Sequence, residues 1–317
     1  MKAIVYERYG SPEVLELREI DKPSVADGDV LVRVHATCVS GGDWHMLTAT
    51  WFAVRLYWGL LRPRRQVLGF DMAGTVEAVG EKVTRFRPGD EVFGASERGG
   101  AYAEYVSVPE DGLVPKPANL THEQAAVAPT SALTALHGLR DKGRIRSGHK
   151  VLINGASGGV GTFAVQIAKS YGAEVTGVCS AGKLDLVRSI GADHTIDYGQ
   201  EDFTQSDARY DLVLDNVGNR PLADCKRTLR PEGIYVAVSG HPARALWIAL
   251  AGGKRLVSFV SQSNQEDLAV LAELLESGKV TPVVDRSFAL DEVPEAMRYF
   301  GEKRARGKIA ISVRGAE

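Results

Sequence analysis

Apolar and polar residues alternate through the first part of the chain. Asp29 to Ala36 (DVLVRVHA) has the period of a strand with one buried face, and Met72–Gly80 repeats it. Ala101–Val108 reads as another strand. Arg87–Gly94 (RPGDEVFG) reads as a tight turn entering a strand, because Pro-Gly favours a turn. Short strands separated by turns predict a compact, barrel-like β domain. Met1–Val5 starts directly as a strand and carries no secretory leader pattern.

From about Thr121, a cap-like residue before a helix, the rhythm changes. Runs at Lys150–Asn154, Glu174–Cys179, His194–Ile196, Asp211–Asp215, Ile234–Ser239 and Leu256–Ser261 read as strands, with helical stretches between most of them. Repeated strand–helix units predict a doubly wound parallel sheet. The tail holds an amphipathic stretch, Gln265–Ser277, and a last strand, Lys308–Val313. The expected organisation is α/β: a β-rich domain over residues 1–120, a parallel-sheet domain over 121–263, and a segment 264–317 that returns to the first domain.

The strand ending at Asn154 runs into a glycine-rich turn, Gly155 to Gly161 (GASGGVG), and then into a helix with an apolar stripe. Glycines spaced in this way let backbone N–H groups approach a pyrophosphate at the positive end of a helix. A dinucleotide cofactor, nicotinamide or flavin, is the expected ligand. Gly155, Ser157, Gly158, Gly159, Val160 and Gly161 are its expected contacts on the phosphate side.

Beside this turn, Gly69–Gly80 (GFDMAGTVEAVG), Pro88–Gly94, Gly100–Tyr105 (GAYAEY) and Ala132–Ala135 stand in a fixed order. Together they resemble the medium-chain dehydrogenase/reductase superfamily nearly end to end, and within it the zinc-independent quinone oxidoreductase branch. The resemblance implies a GroES-like catalytic domain and a Rossmann domain, with the active site in the cleft between them. The superfamily's alcohol dehydrogenases hold catalytic zinc through a Cys, a His in Gly-His-Glu and a third Cys or acid. At the matching positions stand Ser40, Phe70 and the Pro129–Ser131 region, and the four-cysteine structural zinc lobe is missing. Zinc wants thiolate or imidazole donors, so no metal is expected. Cys38 and His45, close in sequence, read as a buried small residue and a surface imidazole.

NAD-specific Rossmann domains place an acid after the second strand, on the ribose. Here Cys179, Ser180 and Lys183 occupy that turn. A hydroxyl and an ammonium suit a 2′-phosphate, and the resemblance adds Tyr198 to the same contact. Asp185 is expected to face away. The cofactor is therefore expected to be NADPH. Strand ends at Asn216 and Val217, Ser239 and Gly240, and Phe259 and Ser261 are further expected contacts, with Thr130 toward the nicotinamide. Arg306–Lys308 resembles a family element near the cofactor and reads equally well as plain surface.

Without zinc, the expected chemistry is hydride transfer to a quinone or an α,β-unsaturated carbonyl, helped by donors for the developing oxyanion. Ser40 is one candidate donor, with a hydroxyl bonded to its own loop as the alternative. Asp43 is expected to orient backbone or ribose groups. Trp44–Leu61 gathers three of the chain's four Trp residues, with Phe52, Tyr57 and Arg55. It reads as a bulky pocket wall or lid with Tyr57 as a donor, as the packing of an extra helix, or as a membrane-surface element. The competing functions are a zinc-free carbonyl or alcohol oxidoreductase and a non-catalytic NADPH-binding regulator.

Composition narrows the partners. A net charge of −2 without a polybasic block argues against nucleic acid. Three cysteines, at 38, 179 and 225, form neither a disulfide framework nor a zinc knuckle and suit a reducing cytoplasm. No apolar run is long enough to span a bilayer, and membrane association is not expected. The expected partners are a small hydrophobic acceptor and a second subunit, paired through the apolar edge strand Arg255–Val260.

Overall fold

The structure, a computed structural model, describes residues 1–238, 242–251, 253 and 255–313; the side chains of Ala53, Tyr57, Pro242, Ala243 and Ala251 lie outside that description. The chain divides into two units. One comprises Met1–Thr130, Ser263–Glu276 and Pro282–Glu317, the other Ser131–Gln262 and Ser277–Thr281. In chain order the strands are β1 (Lys2–Val5), β2 (Glu16–Glu19), β3 (Asp29–Val39), β4 (Asp71–Val79), β5 (Glu91–Ala95), β6 (Tyr105–Pro109) and β7 (Leu113–Pro115). Then come β8 (Lys150–Asn154), β9 (Glu174–Cys179), β10 (His194–Asp197), β11 (Tyr210–Asp215), β12 (Leu229–Ala237) and β13 (Leu256–Ser258), and last β14 (Val284–Ala289) and β15 (Lys308–Ser312).

The first unit is built on a seven-stranded sheet ordered β14-β15-β3-β4-β5-β7, with β6 also on β3. β3 is its spine. It pairs antiparallel with β4, β6 and β15, and its register with β4 shifts twice, as bulges do when they bend a strand. The apolar positions of its alternation, Val30, Val32 and Val34, are buried with Val76, Val92, Val106 and Val108 in one core. β3 therefore delivers Cys38 and Ser40, and β4 delivers Asp71, from inside a packed sheet. The aromatic segment forms two helices, Gly41–Thr48 and Phe52–Trp58. Leu47 and Trp58 are buried, and the Trp58 Nε1–H donates to the Tyr6 hydroxyl at 2.7 Å.

The second unit is a six-stranded parallel sheet ordered β10-β9-β8-β11-β12-β13. The order runs outward in opposite directions from the β8–β11 pair, which makes this a doubly wound sheet with its switch point there. Ligands of such sheets bind at the carboxyl ends beside that point. Val151, Leu152 and Ile153 of β8 are all fully buried, as expected for a strand covered on both faces.

Most expected elements are present, with shifted ends. β12 starts at Leu229, ahead of the expected Ile234, and β13 stops at Ser258 instead of Ser261. Residues 101–104 precede β6 instead of belonging to it. β14 and the helix Val293–Gly301 carry no mark in the sequence reading. No helix among the described residues is long and apolar enough to cross a membrane.

Candidate active site

The glycine turn hangs from β8. The N–H groups of Gly155 and Ala156 both donate to the Val178 carbonyl at 3.0 Å, and Gly158 caps the helix Gly159–Ser170. Gly155 has φ +80°, a conformation that L side chains rarely adopt. A Cβ on Gly161 would lie 2.0 Å from the Gly155 carbonyl oxygen and 2.7 Å from the Ala156 Cα. These two glycines thus keep the turn closed on itself. Gly158 differs: a Cβ there would meet nothing closer than 3.5 Å, so the protein alone leaves room at that position. The first N–H groups of the helix have no intrahelical partners and face outward from its positive end.

Next to the turn, β9 and β10 end together, with Asp197 opposite Cys179. The Tyr198 N–H donates to the Cys179 carbonyl at 3.1 Å, and the Lys183 N–H to the Ser180 carbonyl at 2.9 Å. Ser180, Lys183 and Tyr198 are therefore gathered at one edge. The nearby acids are engaged elsewhere: Asp185, fully exposed, pairs with Arg188 at 3.0 Å, and Asp197 accepts the Gly199 N–H at 3.0 Å.

At the switch point, β11 ends in a buried polar network that the sequence reading missed. Asp215 is fully buried. Its Oδ1 accepts the Val217 N–H (3.0 Å), the Gly218 N–H (2.8 Å) and the Asn154 side-chain amide (2.8 Å). Its Oδ2 accepts the Tyr235 hydroxyl at 2.5 Å and pairs with Arg244 at 3.2 Å. Arg244 also donates to the Tyr235 hydroxyl and to the carbonyls of Gly218 and Arg220. Burial, reinforced by the Asp215 charge, pushes the Tyr235 phenol well above its ordinary range, so it remains a donor. Together these bonds fix the loop that carries Asn216 and Val217. Asn216 gives its side-chain N–H to the Asn154 carbonyl at 3.1 Å, while its Oδ1 is buried and has no partner among the described residues. An unmatched buried acceptor at a strand end is costly unless a ligand meets it. The readable signal was the acid closing β11 directly before Asn-Val-Gly.

Of the remaining expected contacts, Ser239 and Gly240 lie outside the described residues. Phe259 and Ser261 stand just beyond β13, and the Ser261 hydroxyl is bonded to the His137 ring at 2.8 Å. Tyr57 belongs to the helix Phe52–Trp58, and its side chain lies outside the description.

In the first unit, Ser40, Asp43 and Thr130 meet around two buried carboxyls. Ser40 caps the helix Gly41–Thr48. Its hydroxyl donates to Asp43 Oδ2 at 2.6 Å, its N–H donates to the same oxygen at 2.9 Å, and the Gly69 N–H donates to Oδ1 at 2.9 Å. The Ser40 hydroxyl is thereby engaged in a capping box. Thr130 gives both its N–H and its hydroxyl to Asp71, and Cys38 Sγ lies 3.4 Å from the same carboxyl. Lys308, read from sequence as cofactor-side or plain surface, is only 3% exposed. Burial works against its ammonium, but a bond to Cys38 and the negative charge of Asp71 and Asp43 outweigh that and hold it charged. A cation opening a strand at the apolar run Ile309–Ile311 was the available signal.

Asp43 is pushed up to about 6, first by burial, with Asp71 adding to the rise and the Ser40 and Gly69 bonds opposing it. The folded protein thus holds this proton more tightly than the unfolded chain. The resulting stability is full below about pH 4 and is lost as pH rises from there to about 6, a change of about 3 kcal/mol. Asp43→Asn removes the titration, so urea unfolding at a series of pH values should show a shallower fall across that window. An unchanged slope would mean that Asp43 does not carry it.

The positions that the sequence reading aligned with zinc ligands offer a poor donor set. Ser40 is a helix cap, Phe70 packs its ring 5.8 Å from that of Trp58, and Thr130 is bonded to Asp71. Burial drives the Cys38 thiol far above its ordinary value, which keeps it protonated. His45 stacks on Trp51 with ring centroids 4.2 Å apart.

Comparison with known proteins agrees with this architecture. Residues 26–118 match the alcohol dehydrogenase GroES-like domain, and residues 190–311 match the family described as zinc-binding dehydrogenase. The 2-methylene-furan-3-one reductase of Solanum lycopersicum is 35% identical over 98% of this chain and 79% of its own length. The chloroplastic NADPH-dependent alkenal/one oxidoreductase of Arabidopsis thaliana gives the same figures. The solved quinone oxidoreductase of Coxiella burnetii superposes with a TM-score of 0.91 at 31% identity, covering 99% of both chains. A GroES-like sheet unit and a Rossmann-like unit with its glycine turn make this chain an oxidoreductase of the nicotinamide-dependent class. It belongs to the medium-chain dehydrogenase/reductase superfamily, in the quinone-oxidoreductase-like branch.

Proposed function

We propose that the protein is a zinc-independent, NADPH-preferring reductase that delivers hydride to a quinone or an α,β-unsaturated carbonyl. The observation that carries the cofactor choice is the β9 edge: Ser180, Lys183 and Tyr198 gather there, and the neighbouring acids are tied to Arg188 and to Gly199. The names of the relatives support the acceptor class. The donor set at Ser40, Phe70 and Thr130 supports zinc independence.

When bound, the reduced nicotinamide supplies the hydride. The turn from Gly155 to Gly161 holds the pyrophosphate against the helix start, and Lys183, Ser180 and Tyr198 bind the 2′-phosphate. Asn216 offers its unpartnered Oδ1 to a ligand N–H or O–H, beside Val217. Ser239, Gly240, Phe259 and Ser261 supply the remaining strand-end contacts, chiefly through backbone. Thr130, whose hydroxyl proton is given to Asp71, acts toward a ligand as an acceptor. Asp43 positions Gly69 and Ser40, and Tyr57 is the donor to the acceptor oxygen. A homodimer paired along the β13 edge and a cytoplasmic location complete the reading.

The test is loss of NADPH absorbance with panels of quinones and enones, with NADH and a chelator in parallel. Acceptor-dependent oxidation that favours NADPH and ignores chelator supports the proposal. Chelator-sensitive alcohol oxidation overturns it. Lys183→Ala should raise the KM for NADPH by about tenfold, the size of one lost charge-assisted bond, and leave the KM for NADH unchanged. Equal effects on both cofactors would remove Lys183 from the 2′-phosphate.

A further inference from the structure

We propose that the Trp51–Arg65 segment docks the protein on an anionic bilayer surface. This revises the expectation of no membrane association and does not depend on the proposed reaction.

Charge is the first argument. From Trp44 to Phe70 the chain has four arginines, Arg55, Arg62, Arg64 and Arg65, and no Asp or Glu, in a protein whose net charge is −2. Among the described residues none of the four pairs with a carboxylate. Arg55 instead lies over the Tyr9 ring at 5.1 Å and Arg65 over the Trp58 ring at 5.3 Å, contacts that orient a guanidinium without neutralising it.

The second argument is the apolar face. The helix Phe52–Trp58 buries Val54 and Trp58 but leaves Phe52 67% and Leu56 64% exposed, and Leu60 and Leu61 follow at 52% and 88%. Phe52 and Leu56, four residues apart, share one edge of this helix, and Leu60 and Leu61 follow it directly beyond Gly59. The segment is anchored beneath: Trp58 bonds to Tyr6, the Tyr9 hydroxyl donates to the Gly59 carbonyl at 2.7 Å, and the Arg64 N–H donates to the Trp58 carbonyl at 2.9 Å. An anchored apolar edge flanked by arginines has the composition of an element that lies in a membrane interface. The helix is far too short to span one.

The single sign of the flank selects the occupant. A second copy presenting the same patch would set arginines against arginines across a twofold axis. Anionic headgroups satisfy the cations while the acyl boundary takes up Phe52, Leu56, Leu60 and Leu61. Docking of this kind would also bring the protein to bilayer-dissolved apolar acceptors, a consequence that, unlike the docking, rests on the proposed reaction.

The test is cosedimentation of the full chain with vesicles of phosphatidylcholine, with and without phosphatidylserine. Binding is expected only to the anionic vesicles and is expected to fall at high salt. The double variant Arg62→Glu/Arg64→Glu should weaken it about tenfold or more. Phe52→Ser/Leu56→Ser should weaken it as well, with circular dichroism confirming that both variants fold. The proposal is overturned if anionic vesicles are not bound at low salt, or if pure phosphatidylcholine binds equally. It is also overturned if the charge reversal leaves binding unchanged, or if the substitutions alter only the oligomeric state.

Discussion

Asp215→Asn is expected to cost the protein about 3–5 kcal/mol of stability, the range for removing one partner of a buried ion pair. The pair is deeply placed: Asp215 is fully buried, and the Arg244 side chain is 13% exposed. Every group that faces the carboxylate is a donor, namely two backbone N–H groups, the Asn154 amide, the Tyr235 hydroxyl and the Arg244 guanidinium. An amide in its place must turn its own NH2 toward donors whichever way it sits, and it leaves the guanidinium without a counter-charge. Urea unfolding measures the loss, and NADPH binding followed by nucleotide fluorescence should weaken as well, because the loop at 216–218 loses its anchor. Arg244→Met alone should also be severe, and the two substitutions together should cost clearly less than their sum. A loss under about 1 kcal/mol for Asp215→Asn, far below the range for a buried pair, would show that the network is not holding the loop.

The second large effect is expected at Gly161. A Cβ placed 2.0 Å from the Gly155 carbonyl cannot be absorbed by a flexible side chain, because both neighbours are backbone. Gly161→Val should therefore pry the helix from the turn, lowering stability by about 1–3 kcal/mol, as overpacking does. It should also abolish measurable NADPH binding. Gly158→Ala is the contrasting case. Its Cβ has 3.5 Å of clearance, and the change should cost at most about 1 kcal/mol as a weaker helix cap. If NADPH affinity still drops with Gly158→Ala, the glycine serves the ligand and not the fold. If Gly161→Val binds NADPH normally, the turn is not the dinucleotide cradle.

The sequence was most readable where burial on both faces produced a continuous apolar run. β8 and β9 have the bounds that the pattern predicted, and the alternation of β3 marked its core face. It was least readable where long-range partners decide the outcome. β14 has no alternation; its residues are half-buried or exposed, and it is held as a strand by parallel pairing with β15. The strand Lys308–Ser312 flags its cation locally but not what holds it, because the carboxyls come from β4 and from the helix after β3. The Asp215–Arg244–Tyr235 network has the same character: the acid closing β11 is visible locally, but Tyr235 within β12 and Arg244 on the helix Pro242–Ala251 join it only after the sheet has formed. Ser40 shows the opposite case. Its hydroxyl donates to Asp43 three residues along, so the short-range Ser-x-x-Asp pattern contains both members of the cap.

The strand order of the second unit carries a further consequence for how the molecule opens. β8 lies between β9 and β11, with its apolar residues fully buried, whereas β10 and β13 each have one paired neighbour among the described residues. Amide protons should therefore exchange first along β10 and β13 and last along β8, the usual ranking of edge and centre. The glycine turn is suspended from that slowest strand, so fluctuations that unzip either margin of the sheet leave the turn's geometry in place until global unfolding.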